Sequence, residues 1–479
     1  MSSPPADGAA VQFLSNRSLL IALIVASAFF MENLDATIIV TALPQMAQSF
    51  GTTATRMSLG VSAYVLATAA CIPASGWLAD RVGARNLFCA AIGLFTLASM
   101  GCGIAPSFLT FILGRVVQGA AAAMMSPVGR LVVLRTAEKR DLMRALSTLV
   151  WPALFAPVLG PPLGGFITGA ASWRWIFYVN VPLGVAGMAL VLAFIPNEKA
   201  PERASFDFRG FALLAAALAC LTCSLDVIGS RQIDFPVAAG LLVLAAIAGG
   251  LAVRHLQRVS NPIVRLQAMR TPTFFVGSVS GGNISRAAIS ATPFLLPLMF
   301  QLGFGLSPVA SGSLLLIYMA ANLLMKIFTN RLLRRFGMRT VLVVNGAIAS
   351  AGIAACAVIA PGVPFAATAA ILILAGASRS MQFTAITFVS FADIASEERA
   401  SASVLASLAQ QISMGMGVAV GALMLNVSRM LRGAPDLSAQ DFRVALVLVG
   451  LLGAVALFSY ASLPADAGAE ISGHRPKSA

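Results

Sequence analysis

Runs of about 20 consecutive apolar residues recur along the whole chain, separated by short polar segments rich in Lys and Arg. A run of that length lets an α-helix cross the hydrocarbon core of a bilayer, whereas a membrane β-barrel would show shorter segments of alternating polarity. Composition agrees. Of the 479 residues 58% are hydrophobic and 10% charged, against about 25% charged in soluble domains, and mean hydropathy is +0.88. The chain is therefore expected to be an all-α integral membrane protein. Its runs lie near 18–40, 57–76, 87–105, 108–132, 146–169, 175–195, 210–229, 235–253, 272–300, 308–329, 340–360, 364–388, 403–425 and 442–463, about fourteen transmembrane helices.

The formal net charge of +14 would suit a nucleic-acid partner, but its placement does not. Roughly 21 of the 32 Lys and Arg residues fall in one set of alternating loops and tails and about 6 in the other, which is the positive-inside asymmetry. The basic set and both termini are expected in the cytoplasm, which requires an even number of crossings, and no nucleic acid is implied. Residues 1–17 are short and polar and lead into a span that carries acids. No cleaved leader is therefore expected, and the protein should be a multi-pass resident of the cytoplasmic (inner) membrane. Two basic segments, "NEKAPERASFDFR" (197–209) and "RHLQRVSNPIVRLQAMRTP" (254–272), bracket one pair of spans. They divide the chain into 1–200, a six-helix bundle; 201–262, two inserted helices; and 263–479, a second six-helix bundle. "GWLADRVGAR" (76–85) and "NRLLRRFGMR" (330–339) each follow the second span of a bundle and form a weak internal repeat. Two repeats about a central path is a transporter plan.

All six cysteines lie in predicted spans, so a disulfide framework is not expected. The Cys220–Cys223 pair lacks the second pair or nearby histidine of a metal site. His255 and His474 sit in polar segments, which leaves proton movement through the membrane to other groups.

Against this apolar background, "FFMENLDATIIVTALP" (29–44) holds two acids at bilayer depth, each costing roughly 2.5–3.5 kcal/mol on insertion scales. Glu32 and Asp35 are three residues apart and share a helix face, which must look into the bundle. Burial and like-charge proximity disfavour ionising both, so a carboxyl here can take a proton from one side and release it to the other. Asp35 lies about 8 Å and Arg115 about 10 Å from the outer ends of their spans at the helical rise. The matched depths predict an ion pair that forms when Asp35 is ionised and parts when it is protonated. Gly76–Arg85 reads as a tight turn in which Asp80 caps a helix or pairs across the two bundles, closing the cytoplasmic side in one state. Gly160, Pro161, Pro162, Gly164 and Gly165 in the fifth span combine a GxxxG spacing, which suits close packing, with prolines that favour a bend and hence a hinge. Gly417 and Gly421 repeat the spacing and read as packing.

Arg286, after "GGNIS", and Arg379, in "GASRSMQFT", lie deep in spans with no obvious carboxylate at their level. Each needs an anion, from the protein or from a substrate. Lys326 is expected to snorkel to the cytosol and Asp226 to lie at the interface. With no GxxxxGK[ST] loop, nucleophile–base pair or metal cluster, neither cofactor nor enzyme activity is expected, and a proton gradient is the candidate energy source.

Taken in order, five segments resemble the successive motifs of the major facilitator superfamily, most of all its fourteen-helix drug:proton antiporters of the EmrB/QacA type. These are "LDATIIVTALP" (34–44); "GWLADRVGAR", with Gly76, Asp80, Arg81, Gly83 and Arg85; "RVVQGAAAAMMSP" (115–127), with Arg115, Gln118, Gly119 and Pro127; "LGPPLGGF" (159–166), with Gly160, Pro161, Gly164 and Gly165; and "SWRWIFYVNVP" (172–182). The resemblance covers nearly the whole chain. It implies two six-helix bundles plus two inserted helices, Arg115 assisting proton transfer at Asp35, a gate at 76–85, an antiporter motif at 159–166, and amphipathic drug-like substrates, often lipophilic cations. The chain departs from the pattern at Arg334 and Asn330, where the second loop motif would carry aspartate and glycine, and at Glu32, which is additional.

The combined expectation is a proton-coupled exporter of small amphipathic or drug-like molecules working by alternating access. Gln118, Arg286 and Arg379 are its candidate substrate contacts, protons and the lipid bilayer its other partners, and a monomer its expected state. Arg286 and Arg379 favour an alternative, export of organic anions or metal-chelating carboxylates. A non-transporting membrane sensor or scaffold is the alternative from another class, supported by the altered second loop motif. The "LGPPLGG" motif disfavours an importer, through the family alone.

Overall fold

The computed structural model describes residues 17–136, 142–196, 206–229, 234–395, 398–434, 436–464 and 466–468; His474 and the side chain of Asp226 lie outside the described residues. Among these, every regular element is helical. Helix α1 (Arg17–Ile38) runs through a 3-10 turn, Ile39–Ala42, into the short α2 (Leu43–Ser49). Then come α3 (Ala54–Val82), α4 (Ala84–Ile104), α5 (Phe108–Thr136), α6 (Leu142–Ala170), the single turn α7 (Trp175–Tyr178) and α8 (Asn180–Phe194). The pair α9 (Phe208–Gly229) and α10 (Phe235–Leu256) precedes α11 (Pro272–Ser278), α12 (Gly281–Leu298), α13 (Pro308–Phe336), α14 (Met338–Ala355), α15 (Phe365–Phe391), α16 (Arg399–Leu431) and α17 (Ala439–Ala461).

Among the described residues, 12 helices are long and apolar enough to cross a membrane. The spans expected at 146–169 and 272–300 coincide with α6 and with α11 plus α12, which are not among those 12. The second of these is broken near Val279 and Ser280 and carries Asn283, Ser285 and Arg286. Large apolar side chains such as Ile104, Leu109, Ile327 and Phe458 are exposed on the outer surface, as expected where lipid replaces water as the neighbour.

Helix packing separates an earlier and a later group. Helix α1 lies against α5, α6 and α8, while α3 and α4 both pack on α5. In the later group α12 lies against α16 and α17, while α13 and α14 both pack on α15. Besides contacts of the turn Ile39–Ala42 with α12 and α13, two main contacts join the groups, α6 with α13 and α3 with α16. In each, the second long helix of one group meets the fifth of the other, the mark of an internal twofold. Lipid gives no hydrophobic drive for such packing, so small residues must let backbones meet. A Cβ on Gly119 would collide with the Tyr64 carbonyl, and one on Gly376 with the Tyr318 carbonyl.

The repeat is regular in detail. Helices α3 and α13 are both 29 residues long, so Ala54 corresponds to Pro308, Tyr64 to Tyr318 and Val82 to Phe336. Each is N-capped by a hydroxyl, Thr53 accepting from the Arg56 amide and Ser307 from the Ala310 amide, which satisfies an otherwise unpaired donor. Each ends at one glycine, Gly83 with φ 96° or Gly337 with φ 77°, a backbone region that favours glycine. The next helix starts at the following residue. The turn expected over Gly76–Arg85 is therefore a single residue: Gly76, Asp80 and Arg81 belong to the last turns of α3, and Arg85 to the first of α4. Side chains around the two turns are rich in arginine, and we refer to this side as the basic end.

The inserted pair is fastened at the same end. Helices α9 and α10 pack on each other, and α9 lies along both α3 and α16. Phe206 stacks on Trp77 at 4.7 Å between centroids, and the Arg81 guanidinium sits 5.3 Å over the Trp77 ring. Asp207 accepts hydrogen bonds from the Gly210 amide at 2.8 Å and the Ile263 amide at 3.4 Å, and it bonds His255 Nε2 at 2.8 Å.

Candidate functional site

Asp35 and Arg115 meet as the depth argument requires. Arg115 Nη1 donates to Asp35 Oδ2 at 2.6 Å, and neither side chain is accessible. Three further helices add partners, although Arg115 Nη2 and Asn180 Oδ1 are buried without one. Arg115 Nη1 also donates to Gln118 Oε1 at 2.6 Å, Gln118 Nε2 to Asp35 Oδ1 at 2.9 Å, and Asn180 Nδ2 to the same Oδ1 at 2.8 Å. Arg115 Nε donates to the Gly60 carbonyl at 3.1 Å, and its guanidinium lies 4.3 Å over the Tyr64 ring. Ser99 receives a second bond from Asn180 Nδ2 at 3.0 Å and donates to the Phe177 carbonyl at 2.9 Å. A buried ion pair is costly unless its other donors and acceptors find partners; here α1, α3, α4, α5 and α8 converge to supply most of them, and Arg115 Nη2 is left over.

Glu32 has a different setting. One turn toward the basic end from Asp35, it is half-buried and accepts from Ser126 Oγ at 2.7 Å. It lines a cavity of about 320 Å³ on the contact between α3 and α16, whose walls also include Arg130, Ser403, Ser407 and Gln411. The two acids therefore share a helix but not an environment: Asp35 is sealed within the first group, and Glu32 faces the space between groups. At the opposite end the groups touch. Gln301 Nε2 donates to the Thr41 carbonyl at 3.0 Å, Gly165 abuts the Pro308 carbonyl and Gly312 the Pro161 carbonyl.

The other expected residues fall as follows. Gly160 and Gly164 lie against Thr37 and Ile38 of α1, so the GxxxG face is a packing face within an unbroken α6. Gly76 is open, with nothing near the place of a Cβ. Gln118 is fully buried and bonded to Asp35 and Arg115, away from the cavity. Arg286 and Arg379 do not line the cavity either; they sit in the later group, around Phe383. Lys326 is half-buried, near enough to Arg379 for their charges to interact. All six cysteines are unpaired. Among the described residues, no three His, Cys, Asp or Glu side chains converge as a metal site would require.

Sequence reasoning missed Asn180 and Ser99, which complete the Asp35 shell. Asn180 sits in "FYVNVP" as a lone amide at the head of an apolar helix, a signal of the same kind as Asp35. It also missed the cavity wall of α16, although Ser403, Ser407 and Gln411 recur at helical spacing.

Repeated six-helix groups, an acid–guanidinium pair sealed in one of them and a polar cavity between them define a membrane transporter. The family model of the Major Facilitator Superfamily matches residues 25–418 and 279–475, and the chain belongs to that family. A Citrobacter koseri protein provisionally named multidrug resistance protein MdtD is 36% identical over 451 residues, covering 92% of this chain and 94% of its own. The MdtD of Escherichia coli O6:H1 is 37% identical over 415 residues, with 84% and 85% covered. Among solved structures, a D-xylose–proton symporter aligns with TM-score 0.66 at 15% identity over 94% of this chain and 98% of its own. The human organic anion transporter MFSD10 aligns with TM-score 0.60 at 14% identity over 92% and 99%. These two share the fold. The protein is thus a multi-pass membrane transporter of small molecules and not an enzyme.

Proposed function

We propose that the protein is a proton-coupled exporter of small drug-like molecules, a monomer of fourteen crossings with both termini in the cytoplasm of the inner membrane. In this reading residues 1–200 and 263–479 rock against each other about the cavity, with 201–262 as an inserted pair. The observation that carries the proposal is the buried network around Asp35, the one titratable carboxylate sealed beside a guanidinium in the described core of the first group. Ionised, Asp35 holds α1 to α5 and α8 through Arg115, Gln118 and Asn180. Protonated, it loses the charge that justifies the buried guanidinium, and the network must rearrange. That gives a two-state element biased by a proton. Glu32, on the cavity wall, is placed to pass the proton between cavity and Asp35. The basic end faces the cytoplasm by the positive-inside rule, and Gly76, Asp80, Arg81, Gly83 and Arg85 border a gate on that side. Relatives carrying a multidrug resistance name support the substrate class.

The test uses everted membrane vesicles, acidified inside and loaded with a pH-reporting dye. Tetraphenylphosphonium, ethidium, benzoate and succinate are added in turn. At least one should trigger proton release in wild type, and Asp35→Asn should cut that release tenfold or more. Unchanged release in Asp35→Asn, or none with any probe from folded protein, would overturn the proposal.

A further inference from the structure

The internal repeat does not carry the buried acids of the first group into the second. The shift that brings Tyr64 to Tyr318 brings Glu32 to Arg286 and Asp35 to Ile289. In the first group Arg115 lies over the ring of Tyr64; in the second, Arg379 lies 5.8 Å over the ring of Tyr318. The matching Gly119–Tyr64 and Gly376–Tyr318 contacts align Arg115 with Leu372, so Arg379 reaches the tyrosine ring from two turns further along its helix, while isoleucine stands in place of Asp35 and a guanidinium in place of the cavity acid.

Both cations are under-satisfied. Arg286 is 2% exposed, and a guanidinium carries five donors. The break after α11 leaves the Gly277 carbonyl without a helical partner, and Arg286 Nη1 donates to it at 3.1 Å; Arg286 Nε has no partner. Arg379 Nη1 reaches the Met319 sulfur, at 3.5 Å, and its buried Nε also lacks a partner. Arg115 and Arg432 each have a carboxylate at hydrogen-bond distance, but among the described residues no carboxylate pairs with Arg286 or Arg379. One phenyl ring links the two: the Phe383 centroid is 6.0 Å from the Arg286 guanidinium and 5.9 Å from that of Arg379. Phe383 and Arg379 are only partly buried, so the cluster has an accessible edge, and Lys326 adds a third positive charge nearby.

We propose that Arg286, Arg379 and Phe383 form a binding site for an organic anion, with the two guanidiniums taking a carboxylate, sulfonate or phosphate group and the phenyl ring packing on its apolar part. This rests on the transporter reading above and names the charge of the substrate. Planar guanidiniums suit such groups because paired N–H donors match two anionic oxygens, and in a dry site the anion also offsets the cost of the buried cations. The proton site and the anion site lie in different groups of helices, so proton and substrate are coupled through the rocking motion and not by competing for one side chain.

The test is binding, measured apart from transport. Full-length protein in lipid nanodiscs is titrated calorimetrically with benzoate, succinate, tricarballylate and phenyl phosphate, and with benzamide and dimethyl succinate as uncharged counterparts. At least one anion should bind, and the uncharged pair should not. Arg286→Gln and Arg379→Gln should each weaken binding roughly ten- to hundredfold. Arg286→Lys should restore part of it, and Asp35→Asn should leave it intact. Binding that survives in Asp35→Asn while proton release is lost supports the anion site independently of coupling. Failure of all four anions to bind folded wild type, or binding unchanged in both Arg→Gln variants, overturns the proposal whatever the vesicle assay shows.

Discussion

At the scale of single residues, the glycines of the loop and fourth-helix motifs do different work in this conformation. Gly119 meets the Tyr64 carbonyl, so Gly119→Ala should lower stability by about 1–3 kcal/mol through overpacking. Gly76 faces open space, and Gly76→Ala should raise stability by roughly 0.5–1 kcal/mol, since glycine within a helix is entropically costly. Thermal unfolding of both variants in the same detergent separates the two cases. If Gly76→Ala is stable yet impairs transport, its constraint belongs to another conformation. The Asp35–Arg115 pair was legible because two charges at equal depth in an apolar slab have few other partners. The separate setting of Glu32 was not legible: a 60° difference around a helix decides between a sealed core and a cavity wall, and only neighbouring helices fix which is which. The bonding of Gln118 to Asp35 and Arg115 was not legible for the same reason.

At the scale of helices, length and hydropathy located the 12 described helices able to cross a membrane but not where the apolar runs break. The segment 272–300 reads as one long run, while paired glycines and polar residues divide it near Val279 and Ser280, and that break frees the carbonyl Arg286 uses. The motif over 76–85 was read as a loop, although apolar and helix-favouring residues continue to Val82 and only Gly83 must take a positive φ. The fastening of the inserted pair gives a prediction with pH. Burial alone would raise the Asp207 carboxyl, but the Gly210 amide, His255 and the Ile263 amide hold it below the ordinary carboxylate value. A carboxyl depressed in the folded state contributes stability above the unfolded value and loses it as pH falls through the folded one. Asp207→Asn should therefore melt below wild type at neutral pH, with the difference shrinking as the pH drops from about 5 to about 3. A difference that stays constant or widens on acidification would contradict this role.

At the scale of the whole molecule, the contacts at the end opposite the basic one must part if the two groups rock. Thr41 and Gln301 are joined there by a hydrogen bond. Thr41→Cys combined with Gln301→Cys, in a background free of the native cysteines, should be bridged by a short bifunctional thiol reagent. Transport should fall to background and return on reduction, while either single variant stays active. Continued transport by the bridged protein would mean that this end never opens. The inserted pair bears on a different matter, the route by which membrane-dissolved molecules reach the cavity. The two groups meet along two seams, α3 with α16 and α6 with α13, and α9 lies along the first. The inserted pair covers that flank and not the α6–α13 flank, so any compound arriving sideways from lipid would meet two unlike faces, and the transporter is lopsided toward the membrane even though its core is built on a twofold.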